Sequence, residues 1–203
     1  AWSVVVPPLR AAHGFSAFQM QLIFNTGVFS FCTMIIVAGR LHDRFGPRPL
    51  AAASALLLGL AWGLAWAFSD NYFFLWLSMG VLATAASATG YVCPLATALK
   101  WFPDRRGLVS GLTAAWFAAG PVLLSWIAET LMRAGWEPRR IFGLVAATYA
   151  PAVLLTGMML ALPPGQPSHT EVAAFRRRSL LRDRRFWTLF AGMFVGTLPF
   201  LIV

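Results

Sequence analysis

Gly39-Arg40-Leu41-His42-Asp43-Arg44-Phe45-Gly46-Pro47-Arg48 is short, charged and rich in turn formers. No Lys, Arg, Asp or Glu occurs from residue 11 to residue 39, and none from residue 49 to residue 69. A charged hinge between two such runs predicts a tight loop joining two transmembrane helices. Gly46 and Pro47 supply the turn chemistry. Pro49 fits the first turn of the following helix, where no N–H is required of it.

Composition agrees with a membrane bundle. Of the 203 residues, 59% are hydrophobic and 11% are charged, well below the roughly 25% charge of soluble domains. The formal charge of +9 does not point to nucleic acid, because the basic residues sit in the gaps between apolar runs and form no amphipathic face. Cys32 and Cys93 both fall inside apolar runs, which argues against a disulfide framework. The chain opens without Met and closes inside the apolar run 199–203, so a longer chain is expected, with a C-terminal half outside this sequence.

The predicted order is all-α. Residues 1–9 read as the last part of a first helix, with Pro7 and Pro8 near its end and a loop over 10–16. Further helices are predicted over about 17–38, 50–68, 71–99, 107–132 and 141–162. Gln19, Gln21, Asn25, Thr26, Ser30 and Thr33 make the second helix unusually polar, and such groups should turn towards neighbouring helices or water. Gly59 and Gly63 form a G-x-x-x-G pair, and Gly90 and Pro94 are expected kink sites. A second charged hinge, Lys100-Trp101-Phe102-Pro103-Asp104-Arg105-Arg106-Gly107, places Pro103 to stop one helix and Asp104 to cap the next. The resulting domains are a bundle over 1–165, a polar cytoplasmic linker over 166–185 and the start of a seventh helix over 186–203.

The first hinge resembles the signature loop between helices 2 and 3 of the major facilitator superfamily, roughly G-x-L-x-D-R-x-G-x-R. Gly39, Leu41, Asp43, Arg44, Gly46 and Arg48 match it in register. A loop that only sets topology needs no Asp and no fixed glycine spacing. The second hinge, with Tyr91, Asp104, Arg105, Arg106, Gly107 and Gly111-Leu112, is similar to the helix 4–5 region of the oxalate:formate antiporter group and, more loosely, the monocarboxylate transporters. Trp116 and Ala118 stand where that group carries glycines, while Gly120 remains. The drug:proton antiporters carry an arginine in mid-helix 4, and none occurs from residue 71 to residue 99.

The resemblance implies the N-terminal six-helix half of a major facilitator fold plus the start of helix 7, in the inner membrane of a bacterium. The implied activity is secondary active transport of small organic anions by alternating access, as antiport or proton symport. The alternatives are a superfamily transporter of another solute, or a transporter-like sensor that binds without moving substrate. The hinge over 39–48 would form a cytoplasmic clasp, with Asp43 accepting hydrogen bonds from an arginine or from helix N-termini. Tyr91, Trp116, Phe117, Asn25 and Gln21 are the cavity candidates. His13, His42 and His169 fall in predicted loops without metal-ligand spacing, so no metal, cofactor or enzyme chemistry is expected.

Counting Lys and Arg sets the orientation. One side holds Arg40, Arg44, Arg48, Lys100, Arg105, Arg106, Arg176, Arg177, Arg178, Arg182, Arg184 and Arg185; the other holds Arg10, Arg133, Arg139 and Arg140. Over short loops this asymmetry puts the two hinges in the cytoplasm. Cysteines introduced at His42 and Asp104 should therefore react with impermeant maleimide only from the cytoplasmic face, and labelling of either in intact cells would reverse the topology.

Overall fold

The computed structural model describes residues 2–162. The segments expected as linker and as a seventh helix, and His169 with them, lie outside the described residues. Among the described residues the chain forms helices and no strand. These are α1 (Trp2–His13), α2 (Ala17–Phe45), α3 (Pro47–Ala67), α4 (Tyr72–Trp101), α5 (Arg106–Arg133) and α6 (Pro138–Met158). The last five are long and apolar enough to cross a membrane.

The loop expected across 39–48 is corrected. Helix α2 continues to Phe45, and the turn is Gly46 alone. At 1.5 Å per residue its length is roughly 44 Å, well beyond the ~30 Å hydrocarbon core. Arg40, Leu41 and Arg44 are good helix formers, so leaving the apolar run does not end the helix. Gly46 does: it adopts φ +81°, its N–H donates to the His42 carbonyl at 2.9 Å, and Pro47 opens α3 immediately. His42 is consequently helical and only 1% exposed, and no longer a loop residue.

The other boundaries shift for similar reasons. Helix α1 contains Pro7 and Pro8 and runs on to His13, where Gly14 at φ +70° ends it. Ser16 and Gln19 then form a reciprocal capping box at the start of α2. Asp104 lies in a 3-10 turn, Pro103–Arg105, and makes no capping hydrogen bond to α5. Helix α6 starts earlier than expected, with Pro138 in its first turn, and ends at Met158.

Helix α4 packs against both α2 and α3, and α3 pairs closely with α6. In lipid this association rests on close van der Waals fit more than on a hydrophobic drive. At the α2–α4 crossing, a Cβ on Gly80 would stand 3.2 Å from the Ile23 carbonyl oxygen, and one on Gly27 would stand 3.0 Å from Thr84. Here α4 widens into a π-helical segment, Trp76–Leu82. The expected kink sites, Gly90 and Pro94, lie farther along in regular α-helix. Of the G-x-x-x-G pair, a Cβ on Gly59 would stand 3.2 Å from the Ala150 Cβ of α6, whereas Gly63 has open space.

The tightest point of the α3–α6 seam is Gly157 against Ala51. A Cβ there would lie 2.5 Å from the Ala51 Cβ. Gly157→Ala should destabilise the bundle by about 1–3 kcal/mol, the usual cost of overpacking. Ala51→Gly should restore most of the loss. Thermal unfolding of both variants in detergent checks this, and a Gly157→Ala protein as stable as the wild type would refute the seam.

Candidate functional site

Side chains of the two hinges meet at one end of the bundle. The Asp43 carboxylate lies 3.7 Å from the Lys100 ammonium and 3.8 Å from Nδ1 of His42. The partner of Asp43 is thus a lysine from the second hinge, where the sequence suggested an arginine or helix N-terminal N–H groups. His42 Nε2 lies 3.4 Å from Thr97 Oγ1, and that hydroxyl donates to the Cys93 carbonyl at 2.7 Å. Arg48 Nε donates to the Leu160 carbonyl at 3.0 Å, and Trp101 Nε1 donates to the Ala161 carbonyl at 2.8 Å. Both hinges therefore serve carbonyls just past the end of α6, where a helix leaves acceptors unfilled.

The remaining hinge residues do less. Arg44 rests over the neighbouring Phe45 ring at 5.2 Å. Leu41 packs with Leu50, Ala51 and Cys93. Gly39 and Gly107 have no atom near an added Cβ, so packing does not require glycine at either. Asp104 and Arg105 are exposed, and Arg106 Nε donates to the Pro103 carbonyl at 3.2 Å. Burial of His42 leaves Asp104 as the position suited to surface labelling. At the opposite end, His13 pairs with Asp70 at 3.5 Å and Arg139 Nε donates to the Trp66 carbonyl at 2.9 Å. Among the described residues, the basic side chains of the two groups separated by the charge count thus sit at opposite ends of the bundle.

Among the described residues, two neighbouring cavities open between the helices away from the hinges. The first, about 270 Å³, is walled by Ser54 of α3, Ser87, Gly90 and Tyr91 of α4, Phe117 of α5, and Tyr149 and Thr156 of α6. Pro94 also lines it and contributes no N–H to the Gly90 carbonyl. The Ser54, Ser87 and Thr156 hydroxyls each donate at 2.8 Å to a helix carbonyl, of Ala86, Ala83 and Ala152 respectively. Their hydrogens are thereby committed, and their oxygens face a ligand as acceptors. Tyr91 and Tyr149 differ: neither phenol makes a hydrogen bond within the described residues, so both remain donors.

The second cavity, about 460 Å³, is almost wholly apolar. Its walls include Ile23, Val28 and Phe31 of α2, Met79 of α4, Leu124 of α5 and Phe142 of α6. Phe117 and Ser87 line both cavities. The Phe117 ring lies 4.8 Å from the Tyr91 ring on one side and 5.7 Å from Phe31 on the other. None of the described residues lining either cavity is charged.

Of the sequence-derived cavity candidates, Tyr91 and Phe117 come together. Trp116, 70% exposed, lies outside both cavities. Gln21 and Asn25 also lie outside them, on an exposed face of α2, where Gln21 Nε2 donates to Asn25 Oδ1 at 3.2 Å. Sequence reasoning missed Tyr149, Ser54, Ser87 and Thr156, which carry no motif. It also missed the Lys100 pairing, whose only signal was a lone lysine at the end of an uncharged run.

The chain matches the family model described as Major Facilitator Superfamily over residues 1–203. It is similar to the uncharacterized MFS-type transporter YhjX of Escherichia coli, with 40% identity over 114 residues, 55% of this chain and 28% of that protein. Similarity to the oxalate:formate antiporter of Oxalobacter formigenes is 26% over 203 residues, covering 96% of this chain and 47% of that protein. The Fujikurins efflux protein of Gibberella fujikuroi is 24% identical over 184 residues, 90% of this chain and 39% of that protein. The chain spans about half the length, or less, of these curated relatives. With the family model matched along the whole chain and five membrane-spanning helices in the bundle, this chain belongs to the Major Facilitator Superfamily, as an integral multi-pass membrane protein of a transporter family and not of an enzyme family.

Proposed function

We propose that these residues form the N-terminal half of a secondary transporter for small organic anions, working by alternating access in a bacterial inner membrane. The observation that carries the reading is the small cavity with two phenols, Tyr91 and Tyr149, as its available donors. A carboxylate needs donors, and a volume of about 270 Å³ sits at the lower limit of ordinary ligand pockets, ~300–1,000 Å³. That size favours a small acid over a bulky efflux substrate. The end-to-end similarity to an oxalate:formate antiporter supports the same class. A phenol does not neutralise an anion at the membrane midplane, where an unpaired charge is costly. The principal cationic partner is therefore assigned to the second half of the transporter.

Asp43 and Lys100 act in this reading as a clasp between the two hinges at the cytoplasmic end. The carboxylate is half exposed, and exposed pairs contribute about 0–1 kcal/mol. A contact this weak suits a joint that opens in each cycle.

Two measurements test the proposal. The full-length protein in proteoliposomes should take up labelled oxalate or formate saturably, with Tyr91→Phe and Tyr149→Phe each lowering uptake roughly tenfold, the worth of a hydrogen bond to a charged group. Saturable binding without flux would turn the reading to a sensor, and flux confined to uncharged solutes would turn it to another substrate class. Separately, Asp43→Asn should cut transport by up to about fivefold while expression and insertion stay near wild type. The exchanged pair Asp43→Lys with Lys100→Asp should recover part of it. Full transport by Asp43→Asn would reduce the hinge to a topology signal.

A further inference from the structure

We infer that Phe117 is a specificity-determining partition, which keeps the small hydroxyl-lined cavity separate from the larger apolar one and so sets the upper size of the substrate. The inference deepens the organic-anion reading and rests on it for the class of substrate, but the partition itself can be measured without any substrate.

Phe117 and Ser87 are common to the walls of both cavities. A serine side chain is short, and its hydroxyl is held against the Ala83 carbonyl, so the dividing bulk comes from the phenylalanine ring. Tyr91 lies against that ring from the small cavity, and Phe31 lies against it from the apolar one. Chemistry differs sharply across the ring. On one side are the phenols and hydroxyls of Tyr91, Tyr149 and Thr156; on the other are Ile23, Val28 and Phe142. Within this half, a short acid such as formate or oxalate needs the space of the first cavity alone. An acid with a hydrocarbon tail would need the second as well, and the ring stands in its way.

The setting of α5 allows such a ring to act alone. Helix α5 makes few contacts with its neighbours, and the most apolar window of its span has no buried residue. Phe117 is held by two aromatic neighbours and not by a packed core. Pro121, four residues on and also lining the apolar cavity, supplies no N–H to the Phe117 carbonyl. Replacing the ring therefore removes a wall without removing a structural support.

The first arm uses a thiol. Cys93 lines the small cavity and is 1% exposed. In the full-length protein with its other cysteines replaced, Cys93 should react with a bulky N-aryl maleimide at least about tenfold faster after Phe117→Ala than before it. Phe117→Trp should slow the reaction, and Trp126→Ala, on an exposed part of α5 away from both cavities, should leave it unchanged. The second arm compares transport of oxalate with that of phenylpropionate. Phe117→Ala should shift the ratio towards the larger acid by about tenfold, within the range by which hydrophobic pockets discriminate size. Unchanged thiol labelling in Phe117→Ala overturns the partition, whatever the transport result. Faster labelling in a protein that moves no carboxylate at all upholds the partition and rejects the organic-anion reading.

Discussion

Hydrocarbon offers no donors, so each backbone carbonyl loosened by an irregular helix must find its partner inside the protein. The π-helical segment Trp76–Leu82 meets this condition with side-chain hydroxyls. Ser30 of α2 and Thr84 of α4 both donate to the Val81 carbonyl, and Thr84 also donates to Gly80. Trp76 closes the crossing by donating its indole N–H to Thr26 at 3.1 Å. The close approach of Gly27 to Gly80 brings these groups within reach. A wider turn changes which face of a helix looks inward beyond it, because each residue advances the face by about 100°. The residues that follow on α4, from Ser87 to Pro94, owe their place in the cavity wall to that shift.

Polarity in the bundle is arranged at two levels. At the hinge end it is ionic and water-facing: Asp43 with Lys100, and Arg48 on a carbonyl. Between the helices it is neutral, made of hydroxyls that donate to a carbonyl of their own helix, as Ser87 and Thr156 do, or of a neighbouring one, as Ser30 and Ser54 do. Serine and threonine bonded back to the preceding turn cost little to keep in lipid. Among the described residues no charged side chain lines either cavity, and Tyr91 and Tyr149 keep phenol hydrogens available to the smaller one.

Much of the fold was legible in the sequence because charge and hydropathy report directly on membrane crossing. The hinges, their common end and the five long helices among the described residues follow from where Arg and Lys interrupt apolar runs. Helix limits were less legible, since Arg40 to Phe45 can continue a helix beyond the bilayer as readily as end it. The π segment left no signal, because Ser78, Gly80 and Thr84 are ordinary residues whose effect comes from α2. The cavity shows the same limit more sharply. Trp116 and Phe117 are adjacent and both aromatic, yet one faces outward and the other lies against Tyr91. In an apolar helix of low amphipathicity, nothing local separates two neighbours that point about 100° apart. Tyr149 was invisible for the same reason, its role coming from α3 and α4 lying opposite.

The carbonyls beyond α6 carry a consequence for biosynthesis. Arg48 must wait for Leu160, 112 positions downstream, and Trp101 for Ala161, 60 positions downstream. At ~5–20 residues per second, translation keeps the arginine waiting on the order of ten seconds. Through that interval α2, α3 and α4 are already synthesised, while the hinge end of the bundle is still without its last two stitches. The final fastening of the described bundle is thus one of the last events of its synthesis, made long after the helices it ties together have left the ribosome.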